Sequence, residues 1–534
     1  MPDPNSMDNN KNNSSENNEA KPKKKASLAK SSSIVSIMTL LSRVLGLVRD
    51  VVVAQYFGAR ADAFFVAFKI PNFLRRLFAE GAFSVAFVPV LSEYKSQRSV
   101  AEVKLLIASV SGVLGLVLFL VTALALLLAH WLPYVFAPGF SGDEAKFALT
   151  GDLLRITFPY LLFISLTAFA GSILNAYGRF AVPAFTPVLL NICLIFSTLV
   201  MSSWFIEPLY ALAWGVFMAG ALQFLFQLPF IARLGLLVRP TFQPKQEGVG
   251  RILRLMGPAL FGVSVSQINL LLDTLLASFL EPGSVSWLYY SDRLNNLPLG
   301  IFAIAIGVVI LPALSKKHAE DNSEHFAQTL DWATRMIFLL ALPAALALVV
   351  LATPLMATIF FHGEITPYDI GKMTLSLQAY GIGLFAFMLI KVLAPGYYAR
   401  QDTKTPVKIG IQAMVVNMVL NLALVGPFQH AGLALATSLS AFFNAYMLYR
   451  GLKATGHYKA QSGWLAFAIK VLIANAALFV VMYFMMGDAQ QWLEWGTWQR
   501  IGWMSVIVGA GVAVYFVTLV VFGLRPRHLK GARF

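Results

Sequence analysis

A single cysteine, Cys193, in 534 residues removes two classes of answer at once: a disulfide framework and a multi-thiolate metal centre. Charge is scarce as well. Asp, Glu, Lys and Arg make up 13% of the chain, where soluble domains run near 25%. Acids are the scarcer sign, 26 against 41 bases. Catalytic and nucleotide motifs are missing too: there is no Walker lysine loop, no HExxH and no GxSxG. That leaves no ATPase and no recognisable enzyme, so any transport must run on ion gradients, membrane potential or substrate supply.

What fills the chain is apolar. Hydrophobic residues are 58% of it, and a polytopic membrane protein is the class that fits. The net charge of +15 could suggest nucleic acid. Most basic residues, however, sit in short loops between apolar runs, which is the positive-inside pattern rather than a binding stripe.

Fourteen apolar spans can be drawn, from one centred near Leu45 to one centred near Gly511. With the N-terminus in the cytoplasm, the inner loops hold clusters such as Arg233, Arg239, Lys245, Arg251 and Arg254. The outer loops then hold only Arg60, Lys146, Lys372 and Arg500. The pattern predicts both termini inside. Residues 1–32, rich in Asn, Ser, Lys and Glu, read as a disordered cytoplasmic tail. Residues 526–534 read as a basic one. The third, thirteenth and fourteenth spans are uniformly apolar and are expected to face lipid.

The first span is the anomaly. It carries Ser42-Arg43-Val44-Leu45-Gly46-Leu47-Val48-Arg49-Asp50. At about 100° per residue, Ser42, Arg43, Gly46, Arg49 and Asp50 share an arc of roughly 120°. A charge at mid-bilayer costs roughly 2.5–3.5 kcal/mol even on the gentler insertion scale, so such residues face a bundle interior or a wet cavity. A structural ion-pair network is one reading. A cationic patch for an anionic substrate is the other, favoured because Asp50 cannot neutralise both Arg43 and Arg49. The second span adds Asp62, Lys69 and Arg76 at seven-residue spacing, with Arg75 beside them. Asp292-Arg293 and Lys391 follow on the eighth and tenth spans. Helix-end snorkelling accounts for some of these singly, but not for the excess of cations.

Asp50 and Asp273 lie 223 residues apart, as do Phe64 and Trp287, and Val88-Pro89-Val90-Leu91-Ser92 and Leu311-Pro312-Ala313-Leu314-Ser315. The repeat predicts two six-helix lobes, 33–240 and 241–460, related by a pseudo-twofold along the membrane normal. Spans 13 and 14 occupy 461–525. A second polar set, Asp273, Asn417, Asn421 and Thr437, offers oxygens suited to Na⁺, or else interhelical hydrogen bonds.

These segments resemble a known family. The Ser42–Asp50 stretch, Asp62-Ala63-Phe64, Pro71-Asn72-Phe73-Leu74-Arg75-Arg76, Glu80-Gly81-Ala82-Phe83 and Tyr290-Ser291-Asp292-Arg293-Leu294 are similar to the MurJ (MviN) lipid II flippases. Those belong to the multidrug/oligosaccharidyl-lipid/polysaccharide exporter superfamily. The resemblance implies an all-α fold of fourteen transmembrane helices, with the last two lining a groove for the lipid tail. It implies alternating access that carries lipid II across a bacterial inner membrane, with no enzymatic activity. It also implies that Arg43, Arg49, Arg75 and Arg293 bind substrate, with Ser42 among them and Asp62 and Lys391 functionally important. No cofactor is required. Na⁺ is the candidate ion, held by Asp273, Asn417, Asn421, the Leu433 carbonyl and Thr437. Asn296 and Asn421 stand where relatives can carry acids. Membrane lipids are expected partners and nucleic acid is not. The alternatives are a flippase for another polyprenyl-linked glycan, a drug exporter, or a non-transporting cell-wall scaffold.

Overall fold

The computed structural model describes residues 20–76, 83–303, 310–316 and 322–524; for 20–33, 85, 258–266, 270 and 303 it describes the backbone alone. Among these residues every element is helical. In chain order come α1 (Ala20–Phe57), α2 (Asp62–Arg75), α3 (Ser84–Gln97), α4 (Val100–Leu127), α5 (Leu132–Phe136), α6 (Glu144–Thr157), α7 (Tyr160–Ala176), α8 (Ala181–Leu199) and α9 (Leu209–Arg233). Then follow α10 (Glu247–Ser278), α11 (Ser284–Pro298), the short α12 (310–316), α13 (Ser323–Val350), α14 (Ala352–Phe360) and α15 (Pro367–Tyr398). The chain closes with α16 (Lys404–Ala454), α17 (Trp464–Met486), α18 (Gln491–Glu494) and α19 (Thr497–Val521).

Nine stretches among the described residues are long and apolar enough to cross a membrane. One of them, α16, contains two expected spans. Gln429, two residues after Pro427, has φ 50° and ψ −131° and breaks the helix there, so the chain turns at this point. In the second expected span α2 runs to Arg75 and α3 begins at Ser84; in the eighth, α11 passes into a π-helical turn, Leu299–Ala303, and α12 lies beyond it. The centre expected near Leu77 and the motif residues Glu80, Gly81 and Ala82 lie outside the described residues.

Helix starts are set by local chemistry. Ser99 and Glu102 form a capping box at α4; Thr366 and Asp369 do so at α15, with Pro367 in the first turn. One boundary differs from expectation. α1 begins at Ala20, so the helix takes in part of the segment read as a disordered tail. Ala and Lys are strong helix formers, and a segment with no core-forming residues can still extend a helix.

Packing sorts the helices. α1 lies on α8, α8 and α7 on α9, α2 on α6, and α3 and α4 on α7. A second set joins α15 to α16, α13 and α11, and α10 to α16. α17 and α19 pair with each other and reach that set through α13 and α14. The most apolar windows of α4, α17 and α19 are each only 28% buried, in keeping with helices that face lipid. Arg500 is no loop charge. It is buried in the first turn of α19, where it donates to the carbonyls of Ala357, Phe361 and Leu493, capping the last turn of α14.

Candidate functional site

The anomalous stretch of α1 meets α8 and α11. Arg49 is 7% exposed and Asp50 1%. Arg49 Nε and Nη2 donate to Asp50 Oδ1 at 2.9 and 2.6 Å. Its Nη1 reaches Asn191 Oδ1 at 3.1 Å, and its Nη2 reaches the Tyr289 hydroxyl at 3.0 Å. Tyr289 in turn donates to Asp50 Oδ1 at 3.1 Å, and its ring stacks on Phe65. Asn191 is fixed by donating to the Ser42 carbonyl at 3.0 Å. The other Asp50 oxygen pairs with Arg293 Nε at 2.5 Å. One carboxylate thus faces two guanidinium groups. The expected competition for Asp50 is real, but its second cation is Arg293 and not Arg43.

Two glycines make this geometry fit. A Cβ at Gly46 of α1 would collide with Arg293 Nη2, and a Cβ at Gly300 in the π-helical turn would collide with Arg43 Nη1. Each helix offers a bare backbone position to the other's arginine. Arg43 has no ion pair among the described residues and stays partly exposed. Arg293 keeps a third of its side chain accessible.

Below this seam lies a mixed field. Asp292 and Arg76 are exposed on helices with otherwise buried faces; within a membrane that places them on a wet surface. Asn296 donates to the Asp292 carboxylate at 2.8 Å. Arg75 Nε donates to Asn72 Oδ1 at 2.8 Å, one turn back on α2, which fixes the arginine's direction. Lys69 lies in the field of both Asp273 and Asp292, yet has no ion pair with either among the described residues. Lys391 is exposed, and among the described residues no hydrogen bond or ion pair joins it to the seam.

Asp62 works elsewhere. It is buried, and both oxygens are occupied: Oδ2 by Lys146 Nζ at 2.9 Å and the Gly283 N–H at 2.7 Å, Oδ1 by the Ser286 N–H and hydroxyl at 2.8 and 2.7 Å. Gly283, with φ 103°, has no side chain to cap α11. A carboxylate from α2 supplies the cap across the interface, where the helix dipole favours negative charge. Glu364 N–H to the Gln55 carbonyl at 2.9 Å and Tyr290 OH to the Gly58 carbonyl at 3.4 Å join the same end. Nearby, the Lys372 ammonium and the Tyr368 hydroxyl hold the Glu281 carboxyl below its ordinary range.

The second polar set assembles as spaced. Asn421 Nδ2 donates to Asp273 Oδ1 at 2.8 Å and to Asn417 Oδ1 at 3.0 Å. Thr437 Oγ1 lies 3.4 Å from Asp273 Oδ2 and donates to the Leu433 carbonyl at 3.0 Å. Asn421 Oδ1 is buried without a hydrogen-bond partner among the described residues. One carboxylate, neutral oxygens and an orphaned acceptor fit a hard monovalent cation. No cluster of three or more His, Cys, Asp or Glu suited to a metal occurs among the described residues. Sequence reasoning missed Asn191, Tyr289 and Gly300. Only Tyr289 carried a signal, beside the Tyr290–Leu294 motif.

The family model described as "Lipid II flippase MurJ" matches residues 53–498. The chain belongs to the MurJ lipid II flippase family. The "Probable lipid II flippase MurJ" of Vibrio cholerae is 51% identical over 514 residues, covering 95% of this chain and 98% of the relative. That of Haemophilus influenzae is 49% identical, covering 92% and 99%. A solved "Lipid II flippase MurJ, inward closed conformation" superposes with a TM-score of 0.78 at 27% identity, covering 91% of this chain and 98% of that one. An inward-facing multidrug transporter of the MATE family gives 0.65 at 14% identity, covering 79% and 97%, and shares the fold alone. MurJ family membership therefore stands on nearly the whole chain.

Proposed function

We propose that this chain is the lipid II flippase of a bacterial cytoplasmic membrane, a transporter and not an enzyme. The carrying observation is the buried seam in which Arg49, Arg293 and Asp50 meet, with Arg43 beside Gly300 and in no ion pair among the described residues. Guanidinium groups grip phosphate oxygens in pairs. Arg43, Arg293 and Arg75 are accessible enough to take the pyrophosphate, with Lys391 a further cation on the approach, while Arg49 and Ser42 hold the frame.

The two packing sets are the two lobes of the proposal, 33–240 and 241–460, with the helices of 461–525 guiding the isoprenoid tail. The loop charges put both termini in the cytoplasm. On that orientation Asp62, Lys146 and the start of α11 latch the outer ends together, and substrate enters from the inner leaflet. Opening the outer side requires Asp62 to release the α11 N-terminus. Na⁺ held by Asp273, Asn417, Asn421, Leu433 and Thr437 would supply a cation that binds one conformation better than the other, the condition for shifting a population.

Depleting the protein and assaying which leaflet holds lipid II tests this directly. Accumulation in the inner leaflet is expected. Unchanged outward delivery would overturn the reading and favour a cell-wall scaffold. Arg49→Ala and Arg293→Ala, as sole copies, are expected to reproduce the depletion, with lysine restoring function in part because charge returns without the bidentate fork.

A further inference from the structure

A crevice of about 410 Å³ opens where α16 ends and α17 begins, sharing no residue with the seam. Six rings line it: Phe338 of α13, Phe442, Tyr446 and Tyr449 of α16, Tyr458 of the connecting loop and Trp464 at the start of α17. Its wall is fixed in advance. Buried Asp331 accepts from Trp464 Nε1 at 2.6 Å, Tyr458 OH at 3.1 Å and Arg335 Nε at 2.9 Å. Arg335 also holds the Gln461 and Ser462 carbonyls at 3.2 and 3.0 Å and lies over the Trp464 ring. A preformed cleft loses little order when it is filled.

Two lysines adjoin the lining in the chain. Lys459 sits between two lining residues, Tyr458 and Ala460. Lys453 is one turn beyond Tyr449 and two beyond Tyr446, on the same stripe of α16. Both lysines are exposed, and neither has an ion pair among the described residues. Loop charge assigns this end to the cytoplasmic surface, the level at which aromatic belts meet headgroups. Apolar rings below and unpaired cations above match a two-part ligand, with an acyl chain and a phosphate.

We propose that this crevice binds an anionic phospholipid of the cytoplasmic leaflet, one acyl chain among the rings and its phosphate at Lys453 and Lys459. The bilayer supplies the chain at high local concentration, so selectivity rests with the headgroup. Each surface lysine contributes about 1 kcal/mol toward an anionic lipid; two lysines therefore predict a roughly 10- to 100-fold preference over a zwitterionic one. Seated there, the lipid bridges α16 and the loop that carries α17.

The test uses the full chain purified in detergent, with phosphatidylglycerol and phosphatidylcholine of identical chains retained on native mass spectrometry and scored by thermal shift. Phosphatidylglycerol is expected to bind at least tenfold more tightly. The surface double variant Lys453→Glu/Lys459→Glu should abolish that preference while leaving the melting temperature of the lipid-free protein unchanged. Ala460→Trp, at an exposed lining position, should fill the mouth and weaken both lipids. Equal binding of the two lipids overturns the headgroup assignment. Wild-type binding by Ala460→Trp overturns the site. Displacement of phosphatidylglycerol by undecaprenyl phosphate at lower concentration than by added phosphatidylglycerol would make the occupant an isoprenoid and overturn the phospholipid.

Discussion

Asp50 of α1 and Asp273 of α10 hold matching places in the 223-residue repeat, and their surroundings differ in kind. Asp50 is buried between Arg49 and Arg293, with Tyr289 adding a hydroxyl. Asp273 accepts from an amide and a hydroxyl, Asn421 and Thr437, with Lys69 in its field but beyond pairing distance. The helix bearing each aspartate sets only part of its charge balance: α1 itself brings Arg49 to Asp50, whereas α10 brings Asp273 no adjacent cation. The neighbours set the rest: α11 adds a second cation to the first, α16 brings neutral dipoles to the second. Removing a carboxylate therefore has different consequences in the two halves.

The largest effect is expected at Asp50. Asp50→Ala leaves Arg49 buried without its counter-charge, and breaking a buried pair from one side costs about 3–5 kcal/mol. Asp273→Asn removes a charge that no cation pairs among the described residues, and should cost less than about 1 kcal/mol. Thermal unfolding of both purified variants decides the matter; equal destabilisation would show that the two sites are not distinguished by charge.

Next come the glycines of the seam. Gly46→Val and Gly300→Val each place carbon where an arginine now lies, and overpacking of this kind costs typically 1–3 kcal/mol. Loss of flipping should exceed the loss of stability, because Arg293 or Arg43 is turned away from the seam. Growth with Gly46→Val as sole copy, at normal protein level, would break the link between bare backbone and arginine placement. The corresponding valine at Gly257, where an added Cβ meets nothing within 4 Å, is the control.

Much of this was legible in the chain. The apolar runs gave the helical membrane class, because their periodicity and length depend on local composition alone. Arg43, Arg49 and Asp50 announced a polar seam because their spacing places them on one arc. Partners could not be read the same way. Arg293 lies 243 residues from Asp50, and only packing shows that it takes the second oxygen while Arg43 settles over Gly300. Asp62 shared a stripe with Lys69 and Arg76, yet the start of α2 turns it toward Gly283. A heptad spacing fixes a face of a helix and leaves open what that face meets. The Asp273 set was more transparent, since Asn417 and Asn421, Leu433 and Thr437 are each four apart on α16 and needed only one partner from α10.

Sodium sharpens the contrast further. Purified protein should gain thermal stability with Na⁺ over K⁺, an increment absent in Asp273→Ala and reduced in Thr437→Ala. Asp50→Asn, if it folds, should keep it, because cations already fill that site. Lys69→Met should enlarge the response several-fold, since the competing ammonium field at Asp273 is gone. An unchanged midpoint in Lys69→Met would show that the lysine does not contend with the ion.

The smallest change is expected from Asn421→Asp. Asn421 presents an orphaned oxygen beside Asp273, and a carboxylate there would add a second negative charge to a cation's shell. Charge count tunes affinity in oxygen-ligand sites, so Na⁺ should bind several-fold more tightly. The gain is limited, because the Asn421 amide now donates to both Asp273 and Asn417, and those acceptors lose their donor. Without sodium, two neighbouring carboxylates repel and one must hold a proton. The variant should therefore show a Na⁺ midpoint that falls as pH rises, while the wild type, with one acid, shows a weaker dependence. A Na⁺ titration at two pH values measures this. Equal midpoints in the two proteins at both values would place the ion away from Asn421, and the orphaned oxygen would be an unused acceptor.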